Sequence, residues 1–273
     1  MGRLISRLSL AALMTALALP AAAQNIGANA VVVNDVRLAT QAEPQVHQAR
    51  VRERISLGNP IHTGRASHVQ ILLLDGTSFQ LGANARIVID RFVYDPDRSA
   101  SAVGAEVARG SFRFISGQPT RGRPGESGIR TPAASIGVRG TIVEGAVGPD
   151  AIEIANRESA LSSVTDADPE TASLIVLRGP GRGVPGVTPG AIDVTAGGRT
   201  VPVEEIGYAV FVPAAGREPI GPFLISDDGL AQLATLLSDP RRGITAPDID
   251  PLVLDPLISG VFDDVGGSPS TNF

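Results

Sequence analysis

The chain has 273 residues with 23 basic and 28 acidic side chains, a formal net charge of −5, no cysteine and only three histidines. All its basic residues other than histidine are arginine. Without cysteine there is no disulfide framework, no thiolate metal site, no lipid-modified cysteine and no cysteine nucleophile; without lysine there is no Schiff-base chemistry. The acidic balance argues against nucleic acid or an anionic membrane surface as partner, and the missing lysine is read as biased base composition of the coding DNA.

In chain order the first element is an export signal. Arg3 and Arg7 precede the apolar run Leu8–Leu19, and Pro20 breaks that run before Ala21-Ala22-Ala23. Small residues at these positions place a cleavage site between Ala23 and Gln24. The run is shorter than the ~20 residues of a membrane span, which favours cleavage over a retained anchor. Removing Arg3 and Arg7 leaves 21 basic (23 − 2) against 28 acidic side chains, or −7. The expectation is a periplasmic or secreted protein with no membrane span after cleavage. Its remaining ~250 residues are enough for a sizeable core.

Strand signals fill the middle of the chain. Val69, Ile71 and Leu73 alternate before Asp75-Gly76, and Phe79 and Leu81 alternate after it, predicting a β-hairpin. Gly82-Ala83-Asn84 predicts a second turn, followed by a strand over Arg86–Asp90 with Ile87 and Ile89 inward. Ser111–Phe114, Thr141–Val143, Ser173–Leu177, Ile192–Val194, Thr200–Val203 and Tyr208–Val212 read as further strands, with a hairpin at Gly197-Gly198. Residues 118–128 and 156–171 read as loops. Short strands separated by frequent turns predict a mainly β fold over 24–225: an antiparallel sandwich or roll, or a short solenoid-like domain. One helix is predicted, capped by Ser226, with Asp227 and Asp228 in its first turn. Leu230, Leu233, Ala234 and Leu237 form one face, to pack on the sheet or, less favoured, to dock a partner, and Pro240 ends it. The remainder of 226–273 reads as a flexible acidic tail.

Candidate chemistry is sparse. His62 and His68 flank a Thr63-Gly64 turn that could bring them onto adjacent strands, but a third metal ligand is lacking, so these and His47 read as surface or edge histidines. Asp248, Asp250 and Asp255 lack the glycine and terminal glutamate of a calcium loop. Asp90, Asp95 and Glu144 are the carboxylates one would guess for glycoside hydrolysis, in a chain with 4% aromatics and no tryptophan for sugar stacking. No serine sits in a nucleophile elbow. The Gly-Pro-Gly-Arg-Gly run at 179–183 lacks the lysine of a phosphate loop, and Phe273 does not end an alternating barrel strand. No enzyme, no cofactor and no metal is expected.

Thr131-Pro132-Ala133-Ala134-Ser135-Ile136-Gly137-Val138-Arg139-Gly140-Thr141 is the densest local pattern. Pro132 suits a strand start or edge, and Gly137 and Gly140 permit positive φ or a close backbone approach. Arg139 has two readings: a brace for turn carbonyls, which is favoured, or a grip on a carboxylate of a ligand or partner. Together with Asn59–Gly64, Leu74-Asp75-Gly76-Thr77 and Gly110–Phe114, in that order, the stretch resembles the FecR domain, best over Asn59 to Thr141.

The resemblance implies an all-β exported module. In the best-known relatives this module relays a signal from an outer-membrane transporter to a cytoplasmic sigma factor, behind a helical segment and a single span. Here a cleavable signal stands in front, so direct sigma-factor contact is not expected. Two roles follow: a periplasmic binding or sensing module contacting an unidentified envelope protein or ligand, or a structural component of the envelope or a secreted complex.

Overall fold

The computed structural model describes residues 24–40, 43–95, 100–117, 127–179 and 190–238. The expected signal peptide, Pro240, the acidic tail with Asp248, Asp250 and Asp255, and Phe273 lie outside these residues.

Two sheets face each other. The first, read from one edge, runs β4 (Arg54–Ser56), β1 (Asn25–Val33), β6 (His68–Leu73), β7 (Ser78–Leu81), the second half of β9 (Ala100–Ile115), β12 (Ile142–Val147), β13 (Ser173–Gly179), β16 (Tyr208–Val212) and β17 (Ile220–Leu224). The second runs β3 (His47–Gln48), β2 (Val36–Leu38), β5 (Pro60–Thr63), β8 (Arg86–Asp95), the first half of β9, β10 (Ser127–Arg130), β11 (Ser135–Arg139), β14 (Ala191–Ala196) and β15 (Arg199–Val203). All pairings are antiparallel except β9 with β10. Beyond the first two strands of each sheet, strand order follows chain order in both.

Alternation explains the core. Ile26, Val69, Ile71, Phe79, Phe112, Phe114, Ile175 and Val210 from the first sheet meet Val36, Ile61, Ile87, Val107, Ile136, Ile192 and Val203 from the second in one buried cluster. Phe79 and Phe114, directly cross-strand, tilt against each other at 5.0 Å between ring centroids. The mainly β sandwich expected from the alternation is therefore present. It is joined by β9, whose 16 residues leave the second sheet at Arg109 and enter the first at Gly110. Gly110 turns the corner at φ +83°, and a Cβ there would lie 2.6 Å from Ala85. The sequence pattern marks only Ser111–Phe114 of this strand, because its alternation breaks where it changes sheet.

A second, smaller core lies on the outer face of the first sheet. Ala146, Leu174, Val176, Ala209 and Phe211 point outward and are covered by α1 (Pro149–Ala155), a short 3-10 turn (Ser159–Leu161) and α2 (Asp227–Leu237). The C-terminal helix is as expected: the Ser226 hydroxyl accepts from the Gly229 amide at 3.0 Å, and Leu233 and Leu237 are buried. Ser226 also donates from Oγ to Glu158 at 2.7 Å and from its amide to the same carboxylate at 3.0 Å, latching α2 to the 3-10 turn. Its apolar face packs on the sheet.

The helix α1 is an addition to the single helix expected. Its cap is Gly148 at φ 85°, without a side-chain hydrogen bond, so the usual polar start signal is missing. Pro149 at its first turn and Asp150 beside it were the available cues. The strands β1 to β4, β10, β11 and β17 also go beyond the strands expected, and β10 takes Ser127 and Gly128 out of the loop expected over 118–128.

Prolines sit in both edge strands at one end, Pro202 in β15 and Pro222 in β17. Each removes an amide donor from an edge.

Gly145, opposite Phe112 in β12, tests the packing. A Cβ there would lie 2.6 Å from the Phe112 ring and 2.8 Å from the Leu174 carbonyl oxygen. Gly145→Ala is expected to lower stability by about 1–3 kcal/mol through overpacking, read as a lower midpoint in urea denaturation. An unchanged midpoint would mean that Phe112 relaxes freely.

Candidate functional site

The turn motifs are structural staples. Asp75 accepts from the Thr77 amide at 2.9 Å and from the Thr77 hydroxyl at 2.8 Å, and Ser101 donates to it as well. Thr77 Oγ1 in turn accepts from the Gly117 amide at 3.1 Å, tying the β6–β7 hairpin to the end of β9. The Thr63 hydroxyl donates to the Gly82 carbonyl at 2.6 Å and accepts from the Ala85 amide at 2.8 Å. The Thr141 hydroxyl donates to the Gly179 carbonyl at 2.9 Å. Each threonine is buried and replaces a ladder bond that a turn leaves unmade.

In the Thr131–Thr141 stretch, Pro132 lies in the turn between β10 and β11 rather than at a strand start. Gly140 takes φ +55°, whereas Gly137 sits inside β11 with its nearest neighbour, Asp193, 3.9 Å from where a Cβ would be. Gly137 therefore serves neither purpose expected of it. Arg139 projects from the outer face of β11 and donates from Nη2 to Asp193 Oδ1 at 3.2 Å. It braces a side chain across the sheet, not the turn carbonyls.

The carboxylates are dispersed. Asp90 and Asp95 lie on β8 in the second sheet, where Arg130 pairs with Asp90 and reaches Glu106 at 3.7 Å. Glu144 is on β12 in the first sheet, 2% exposed. Its Oε1 accepts from Arg113 Nε at 2.6 Å, its Oε2 lies 3.0 Å from Arg178 Nε, and Arg113 also donates to Gln80 at 3.1 Å. With Gln70 donating to Ser78 at 3.3 Å, a buried polar row crosses β6, β7, β9, β12 and β13 on one face. Breaking such a buried pair by removing one partner typically costs about 3–5 kcal/mol. This row is a largely buried structural element, with Arg178 at its partly exposed end. Among the described residues no three histidine, aspartate or glutamate side chains gather as a metal set.

The histidines differ from expectation. His62 is on β5 in the second sheet and His68 on β6 in the first, so the turn separates them instead of pairing them. His68 is 2% exposed, a core position rather than a surface one. His47, on the edge strand β3, lies 2.6 Å from Glu53 Oε1 through Nε2 and 3.0 Å from the Gln45 carbonyl through Nδ1.

Register assembles a site that spacing in the sequence does not reveal. Arg37 stands opposite His62, His62 opposite Arg86, and Arg86 opposite Arg109, across β2, β5, β8 and β9. Arg86 Nε lies 3.2 Å from His62 Nδ1, so the imidazole accepts there and carries its proton on Nε2. An open cleft of about 430 Å³ lies over His62, Arg86 and Arg109, lined also by Thr63, Asn84, Ala85, Ala108 and Glu170. Partial burial and the Arg86 charge hold His62 below its ordinary pKa of 6.5, while the hydrogen bonds to Glu53 and Gln45 hold His47 above it.

The two histidines are expected to titrate on opposite sides of 6.5 in an NMR pH series. Linkage gives them opposite signs. His62 contributes stability that is present above about 6.5 and lost as pH falls below it; His47 contributes stability present below about 6.5 and lost as pH rises through its raised value. Coincident titrations would contradict the Arg86–His62 geometry. Arg139→Ala, breaking a half-exposed pair, is expected to change unfolding free energy by less than about 1 kcal/mol in chemical denaturation; a larger loss would make the brace a fold determinant.

Two crystal structures of a candidate anti-sigma factor from Parabacteroides distasonis ATCC 8503 are similar to the chain at 17% identity and a TM-score of 0.37, over 59% of this chain and 57% of that one. The chain thus spans a little over half the length of those structures. No curated protein matches it. The family model described as FecR protein matches residues 59–162, from the residue before β5 to the residue after the 3-10 turn. Over residues 59–162 the chain is thus similar to the FecR family.

Proposed function

We propose that this protein is a non-catalytic, extracytoplasmic binding and sensing module that recognises a discrete envelope protein or ligand. The similarity to the FecR family over residues 59–162 carries this reading. That region is embedded in a sandwich in which Asp75 staples a turn, Glu144 bridges two buried arginines and Glu158 latches the C-terminal helix. Export is supported by Arg3 and Arg7, the apolar run Leu8–Leu19 and Ala21-Ala22-Ala23, and by β1 starting at Asn25, one residue beyond Gln24.

The alternative, a building block of an envelope matrix, is disfavoured by Pro202 and Pro222. An open-ended stack of such sandwiches would pair edge strand to edge strand, and both edge strands at one end lack a donor.

The test is cross-linking of the full-length gene product in its source organism, followed by mass spectrometry of the adducts and N-terminal sequencing. One stoichiometric adduct on a protein starting at Gln24 is the expected result. A polymeric ladder would overturn the sensing role in favour of the matrix, and recovery of a form retaining Arg3 to Leu19 would overturn cleavage.

A further inference from the structure

The geometry points to the cleft over β5, β8 and β9 as a binding site for an oxyanion, a carboxylate or phosphate group of a small ligand. The assignment stands on the cleft's own residues and does not depend on the sensing role.

Cross-strand partners of like charge destabilise a sheet, and opposite charges stabilise it. In a chain with 28 acidic residues, the positions opposite Arg86 are nevertheless filled by His62 and Arg109, with Arg37 one strand further on. Asp35 neutralises Arg37 at 2.8 Å. Arg86 has no carboxylate within ion-pair distance among the described residues; its Nε is directed at His62, at 3.2 Å. Its two terminal nitrogens keep the planar fork of donors that suits an oxyanion.

The cleft is concave, and Glu170 is its single acidic lining residue among those described. Glu170 reaches Arg109 only at 3.6 Å and is 75% exposed on a loop, a weak pair that an incoming anion can displace. His62 supplies a reporter. Its neighbours in the cleft are Arg86 and Arg109 on the sheet and Glu170 from the loop, and partial burial together with the Arg86 charge holds its pKa below the ordinary value. A bound oxyanion offsets the arginine charge, so the imidazole then protonates more readily.

Two probes distinguish the sources: inorganic phosphate for a phosphate group and citrate for carboxylates, each titrated into the purified full chain at low ionic strength. Calorimetry reads affinity and NMR reads the His62 titration. Saturable binding of at least one probe is expected, with a rise of the His62 pKa in its presence. Arg86→Gln is expected to weaken binding about tenfold or more, and Arg109→Gln likewise, while Arg139→Gln on β11 leaves it unchanged. Both cleft variants remove exposed side chains, and near-UV dichroism verifies that they fold. No saturable binding of either probe at around 10 mM, or equal loss in the Arg139→Gln control, would overturn the site.

Discussion

The whole architecture hangs on one strand serving two sheets. The first half of β9 completes the second sheet and its second half the first, and the change happens across Arg109–Gly110. That corner demands positive φ and a bare Cα against Ala85, conditions that glycine meets at little cost. Past it, Phe112 and Phe114 enter the shared core while Arg113 points the other way, into the buried polar row. Before it, Arg109 stands at the rim of the cationic cleft. Core, row and cleft are thus three products of a single corner.

The outer face of the first sheet departs from the usual half-solvated antiparallel sheet. Its helices bury Leu174, Val176 and Phe211 on one side of the row, and Glu144 bridges two arginines beneath. Burying these charges is tolerable only because each is matched at short range, since desolvation otherwise exceeds the Coulombic gain. The row contributes more to a unique strand register than to net stability: a slip of one residue would turn Arg113 into the hydrophobic interior.

What could be read from the chain follows from how local each cue is. The hairpin at Asp75-Gly76 and the Ser226 cap were legible because turn and cap chemistry reside within four residues. The FecR motifs were legible for the same reason, and their threonines prove to be turn staples. The corner strand was not, because alternation fails where a strand changes sheet. His68 sits at an outward position by alternation, and only the tertiary covering of that face makes it a core residue. The cationic cleft was illegible in principle: His62, Arg86 and Arg109 span 47 positions of chain (109 − 62), and register alone aligns them.

Strand order that follows chain order in both sheets has its own corollary. Each rung of the sandwich touches chiefly the rungs made just before and after it, so the molecule is close to one-dimensional in its connectivity, as repeat proteins are. Free energy then accrues rung by rung, and a disturbance at the β15–β17 end decays before it reaches the β3–β4 end. The length of such a body is adjustable by inserting or deleting a pair of hairpins without redesigning the rest. The proline-bearing end strands act as its terminal caps.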